Sequence, residues 1–149
     1  MAGSGSVPTA TITALQATLA AENAAIYGYG VAGAHLSGGW FAAAQRDWNG
    51  HRAAGATLTA MITRLGAKPA PAADAYRPPF PVNSARAAVS LVALLEDGVL
   101  TAYLGLVALD EVALRTFGAQ RMQASAIRAA FWRGSTTAFP GLPASALKN

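Results

Sequence analysis

Apolar residues recur at steps of three and four over four long stretches of the chain, separated by breaks rich in glycine, serine and proline. That spacing marks one face of an α-helix, so the pattern predicts four amphipathic helices. The first is expected from Thr9 and Thr11, either of which can cap it, to about His35, where Ser37, Gly38 and Gly39 interrupt. Ser37 can cap a second helix from about Gly39 to Leu65, closed by Gly66 just past its end. Asn83 or Ser84 caps a third that runs to about Ala108. Asp110 caps a fourth that ends near Arg133, before Gly134.

Between the second and third helices lies AKPAPAADAYRPPFPVN, residues 67–83, whose five prolines exclude helix and favour an extended, partly polyproline-II path. At about 3.1 Å per residue such a segment spans roughly 50 Å, more than the roughly 40 Å length of the second helix. It can therefore carry the chain back along the whole bundle. Short, long and short connections make helices 1 and 2 one antiparallel hairpin and helices 3 and 4 another. The expectation is an all-α four-helix bundle with a single long crossover, the ferritin-like arrangement.

The apolar stripes are interrupted by polar residues at interior positions. Helix 1 repeats through Ile12, Leu15, Leu19, Glu22, Ile26 and Tyr29, and helix 3 through Val89, Val92, Glu96, Val99, Tyr103 and Leu106. Helix 2 reads Trp40, Ala44, Asp47, His51, Ala54, Leu58, Met61 and Leu65, which turns Asp47 and His51 inward. For helix 4 the best stripe is Ala113, Phe117, Gln120, Ala124, Ile127 and Phe131. The helix midpoints fall near residues 22, 52, 96 and 121, so Glu22, His51, Glu96 and Gln120 are expected to share one central layer. Carboxylates there must be paired, hydrogen-bonded or bound to metal.

AENAAIYGYG at 21–30, HR at 51–52, AYRPPFPV at 75–82, LLE at 94–96 and AFPGLP at 138–143 resemble, in order, a bacterial ferritin-like domain family of unassigned function. In ferritin-like di-iron proteins, helices 1 and 3 each give a glutamate and helices 2 and 4 each give Glu-x-x-His. The resemblance therefore implies ligand positions at Glu22, His51 and Glu96. It also shows departures: Trp48 stands where the helix 2 glutamate belongs, Gln120 and Gln123 stand where helix 4 would supply Glu and His, and Asn23 replaces the histidine of AEHA. Two metal ions need about four carboxylates and two imidazoles, so the resemblance implies a degenerate site. Two readings stay open. In one, His51 pairs with Glu22 or Glu96 in a metal-free network completed by Tyr27, Tyr103 or Arg52. In the other, Glu22, His51 and Glu96, with Asp47 as a further candidate, hold one divalent ion such as Fe, Mn or Zn.

Composition narrows the functions. The 149 residues include about a quarter alanine and no cysteine, which excludes disulfides, thiolate metal sites and a thiol nucleophile. Charged residues are only 12% of the chain and hydrophobic ones 53%, leaving apolar surface that self-association would bury, so a homodimer is expected. Its scattered arginines form no stripe for nucleic acid despite the net charge of +4. No run of about 18 uninterrupted apolar residues is present, and no membrane partner is expected. Residues 1–8 carry no basic charge or apolar core and are expected to be a flexible leader of a cytoplasmic protein. GYGVAG at 28–33 lies deep inside helix 1 and cannot be a dinucleotide loop. Its small residues instead allow close helix approach at Ala25, Gly28 and Ala32, which suits a dimer face. The tail at 134–149 is expected to fold back on the bundle through Phe139 and Leu142. The function expected is non-catalytic binding or scaffolding, with a mononuclear metalloprotein, a weak oxidase or metal sensor, as the alternative; substrate and small-molecule ligand are not specified.

Overall fold

The computed structural model describes residues 8–134, and these form four helices: α1 (Thr9–Gly33), α2 (Gly38–Arg64), α3 (Ala85–Val107) and α4 (Val112–Arg133). The expected leader, apart from Pro8, and the tail beyond Gly134 lie outside the described residues. Helix ends follow local chemistry only in part. At α2 the signal is complete: Gly66 has a φ of +80°, its N–H reaches the Thr63 carbonyl and the Ala67 N–H reaches Ile62, which is the Schellman closure. At α3 the Ser84 hydroxyl accepts from the Ala87 N–H at 3.1 Å. Neither Thr9 nor Thr11 caps α1, whose first flanking residue is Pro8. Thr11 points inward instead and donates to Glu111 at 2.8 Å, tying the start of α1 to that of α4. Asp110 does not cap α4 either; Glu111 holds the N-cap position, without a side-chain bond.

Residue pairs across the interfaces define the topology. On α1 and α2, Glu22 meets His51 and Ile26 meets Trp48. On α1 and α3, Glu22 meets Tyr103 and Tyr29 meets Glu96. Both partners run antiparallel to α1, so α2 and α3 are parallel to each other. Residues 67–83 return along the bundle: Gln16 grips the Lys68 carbonyl and the Ala70 N–H, Tyr76 packs on Tyr27, and Phe80 reaches the neighbourhood of Trp132. The core runs between α1, α2 and α3 through Leu15, Leu19, Leu58, Ile62, Val92, Val99 and Leu106. By length and composition α3 could cross a bilayer. Here it is the central helix, packed on both α1 and α4.

Two expectations are corrected. Helix α4 turns a different face inward: Gly118, Ser125, Ala129 and Trp132 are buried, whereas Gln120 and Gln123 are exposed and Ile127 and Phe131 are 64% and 47% exposed. Gly118 is needed because a Cβ would press on Leu106 and the Tyr103 carbonyl. Small residues of α1 do admit a close helix, but it is α3 of the same chain: Ala25, Gly28 and Ala32 are buried, and a Cβ on Gly28 would run into Leu95. That face is interior, so it is not a dimer face.

Candidate functional site in the mid-bundle polar layer

Glu22 from α1, His51 from α2 and Glu96 from α3 converge at full burial, each with a relative exposure of 0%. His51 lies between the carboxylates, with Nδ1 2.6 Å from Glu22 Oε2 and Nε2 2.8 Å from Glu96 Oε1. Each nitrogen can donate to a carboxylate only if both are protonated, which makes the ring an imidazolium. Burial opposes that charge, yet the hydrogen bonds to Glu22 and Glu96 outweigh it and raise the His51 pKa above its ordinary value. Glu96 shows the same contest: burial pushes its carboxyl up, while His51 and Arg128 together hold it below the ordinary value.

Two tyrosines cross between the halves of the bundle. The Tyr103 hydroxyl of α3 donates to Glu22 Oε1 and that of Tyr29 of α1 donates to Glu96 Oε1, both at 2.6 Å. Burial first, and the adjacent carboxylates second, push both phenols up, so they remain protonated donors. The tyrosine stands seven residues after the glutamate in each helix, which places both on one face. Applying the 74-residue offset between these pairs to His51 reaches Ser125, which is also fully buried.

The cationic side of the layer comes from α4. Arg128 Nε donates to Glu96 Oε1 at 2.8 Å, and its Nη2 donates to Ser125 Oγ at 3.1 Å. Arg121 is looser: its Nη2 is 4.0 Å from Glu22 Oε1 and donates instead to the Gly50 carbonyl at 3.2 Å. Asp47, nearly fully buried, lies beside this layer and accepts from Trp132 Nε1 and Arg46 Nε, both at 2.9 Å.

The sequence-derived set thus comes together only in part. Glu22, His51 and Glu96 share one site, Asp47 faces inward at its flank, and Gln120 is absent because α4 is rotated relative to the expected stripe. Of the three network partners expected, only Tyr103 joins; Tyr27 packs on Tyr76, and Arg52 lies over the Trp48 ring at 4.7 Å. Tyr29, Arg121, Ser125 and Arg128 were missed. The seven-residue glutamate–tyrosine spacing shared by α1 and α3 was the signal that could have found Tyr29.

These residues do not fit a two-metal centre. Two carboxylates and one imidazole are present, Trp48 and Ser125 offer no carboxylate or imidazole, and an arginine occupies the layer. Both ring nitrogens face carboxylates lying at opposite edges of the imidazole, so the two glutamates and one nitrogen do not converge on a common point. Among the described residues no group of three or more histidines and acids is arranged around a metal position.

A solved structure of a conserved hypothetical protein from Mycobacterium tuberculosis is similar to this chain, with a TM-score of 0.82 and 29% identity over 87% of this chain and 98% of that one. No curated protein sequence matches. Residues 14–144 match the family described as Domain of unknown function (DUF4439), and the chain belongs to that family.

Proposed function

We propose that this is a ferritin-like bundle that has exchanged a redox metal centre for a charge-balanced polar core, and that it acts as a non-catalytic binding or scaffold protein. One observation carries the reading. Glu22 and Glu96 supply two negative charges, and protonated His51 and Arg128 supply two positive ones, linked in one chain of hydrogen bonds from Glu22 through His51 and Glu96 to Arg128. A divalent ion entering this layer would have to displace protons and would then sit beside a guanidinium. Exposed Trp40, Phe41 and Phe131 support the accompanying expectation of self-association. Light scattering at high micromolar concentration tests that part, and a monomer there would remove it.

A second reading, one divalent ion held by Glu22, His51 and Glu96, draws on a different observation: Glu96 Oε2 is buried without a hydrogen-bond partner. The deciding experiment is thermal unfolding in chelator and then with iron(II), manganese(II) or zinc(II), for the native chain, Glu22→Gln and His51→Gln. The polar-core reading expects no metal-dependent gain in any of the three. A bound ion would stabilise the native chain by about 2.7 kcal/mol at a hundredfold excess over Kd. Loss of that gain in both variants would establish the metalloprotein reading instead.

A further inference from the structure

Arg52 and Asn23, which contribute nothing to the polar layer, meet in a second place. A recess of about 410 Å3 opens between α1, α2 and the start of the crossover, lined by Leu19, Asn23, Ile26, Arg52, Thr59 and residues 69–72, among others. We propose that this recess binds a small organic anion, a carboxylate or phosphate carried on a compact apolar body.

The argument starts from Trp48. Its indole N–H donates to the Ile26 carbonyl at 3.1 Å, which fixes the ring against α1. Arg52, one turn later on α2, lays its guanidinium over that ring at 4.7 Å. A guanidinium held over an aromatic face is attracted by its charge and spends no conventional hydrogen bond there, so its N–H donors stay available. Arg52 makes no ion pair or hydrogen bond among the described residues; Arg64, Arg77, Arg86 and Arg115 make none either, but Arg52 is the one of these held over an aromatic ring. It is therefore a cation held in place with its donor fork unused, and a fork of that shape matches carboxylate and phosphate oxygens. The Asn23 amide and Thr59 hydroxyl are likewise uncommitted and supply further hydrogen bonds. Leu19, Ile26, Pro69 and Pro71 offer apolar surface for the rest of the molecule. Among the described residues no acidic side chain lines the recess. Its volume lies within the range of small-molecule sites and is too small for a folded partner. The Gln16 clamp on Lys68 and Ala70 fixes the crossover wall, so the recess exists before any ligand arrives.

Titration of the full chain with benzoate, phenyl phosphate and inorganic phosphate, followed by NMR of the Arg52 Nε–H and Asn23 amide resonances, tests the proposal. Saturable shifts at both residues are expected with benzoate or phenyl phosphate, and the stronger of the two identifies the head group. Inorganic phosphate should bind more weakly, because it lacks the apolar body. Arg52→Ala should weaken binding about tenfold or more, and Ala56→Trp, at an exposed position on the recess wall, should block it. Arg86→Ala removes the same charge from exposed surface on α3 and should leave the affinity unchanged. Absence of saturable shifts with every probe would overturn the proposal, as would equal weakening by Arg52→Ala and Arg86→Ala, which would mark a diffuse charge effect.

Discussion

The two glutamates of the polar layer occupy matched positions but are not held alike. Glu22 and Glu96 each receive one tyrosine from the opposite helix and one imidazole nitrogen. They differ in their arginine: Arg128 is in contact with Glu96, and three donors crowd onto its Oε1, while Arg121 stays 4.0 Å from Glu22 and spends a donor on Gly50. Nearly two-fold arrangement of the acids therefore coexists with asymmetric charge compensation. A buried carboxylate tolerates its position when its charge is met somewhere in the connected layer, and one tightly placed guanidinium with one shared imidazolium suffices for two.

The sharpest way to break this comparison is to remove each arginine in turn. Arg128→Met strips Glu96 of its ion pair in a buried setting and should cost about 3 kcal/mol. Arg121→Met, which removes a longer and partly hydrated interaction, should cost under about 1 kcal/mol. Urea unfolding of both variants measures the gap, and equal losses would show that the two sides are compensated alike.

The tyrosines should behave in the opposite way. Tyr29→Phe and Tyr103→Phe each delete one phenol bond to a buried carboxylate while keeping the ring, so each should cost about 1 to 2 kcal/mol, and by similar amounts. Double-mutant cycles with Glu96→Gln and Glu22→Gln should find coupling only for the crossed pairs, Tyr29 with Glu96 and Tyr103 with Glu22.

Dependence on pH is the subtlest test. Glu96, whose folded pKa is depressed, stabilises the fold above its ordinary value of 4.5 and loses that contribution as pH falls through the folded value. His51, whose folded pKa is raised, contributes fully below 6.5 and loses its contribution as pH rises through the folded value. The layer should therefore add most to stability between pH 4.5 and 6.5. A series of melting temperatures across pH should decline on both sides of that window, and His51→Gln should remove the decline on the alkaline side.

The helices with strong apolar stripes were the ones the sequence made legible. In α1 and α3 a single glutamate interrupts an apolar stripe, and in α2 Asp47 and His51 do, so Glu22, His51 and Glu96 stand out against their neighbours and their shared level follows from helix length. Counting hydrophobic residues failed for α4, because its inner face is Gly118, Arg121, Ser125, Arg128, Ala129 and Trp132, while Phe117, Ile127 and Phe131 lie wholly or partly outside that stripe. Arginine reads as surface in any single-helix pattern. Only the unbalanced carboxylates on the other helices create a need for it inside, and that need is a property of the assembled layer. The expected cap of α1 failed for a related reason, while Ser84 does cap α3: Thr11 has the chemistry of a cap, but Glu111, distant in sequence, offered its hydroxyl a partner across the bundle.

The crossed phenol bonds have a consequence for the order of events in folding. Tyr29 and Glu96 are 67 positions apart, and Tyr103 and Glu22 are 81 apart, each pair divided between the two helical hairpins. Hairpin contacts close short loops and form early, whereas contacts of this separation wait for the halves to dock. Each hairpin must arrive with a carboxylate whose phenol donor belongs to the other, so the bonds that complete the interior come into being after most of the apolar surface has been buried. Interactions made on the native side of the barrier govern how long the folded chain persists more than how fast it is reached. The polar layer thus acts as a latch, setting the lifetime of the docked state.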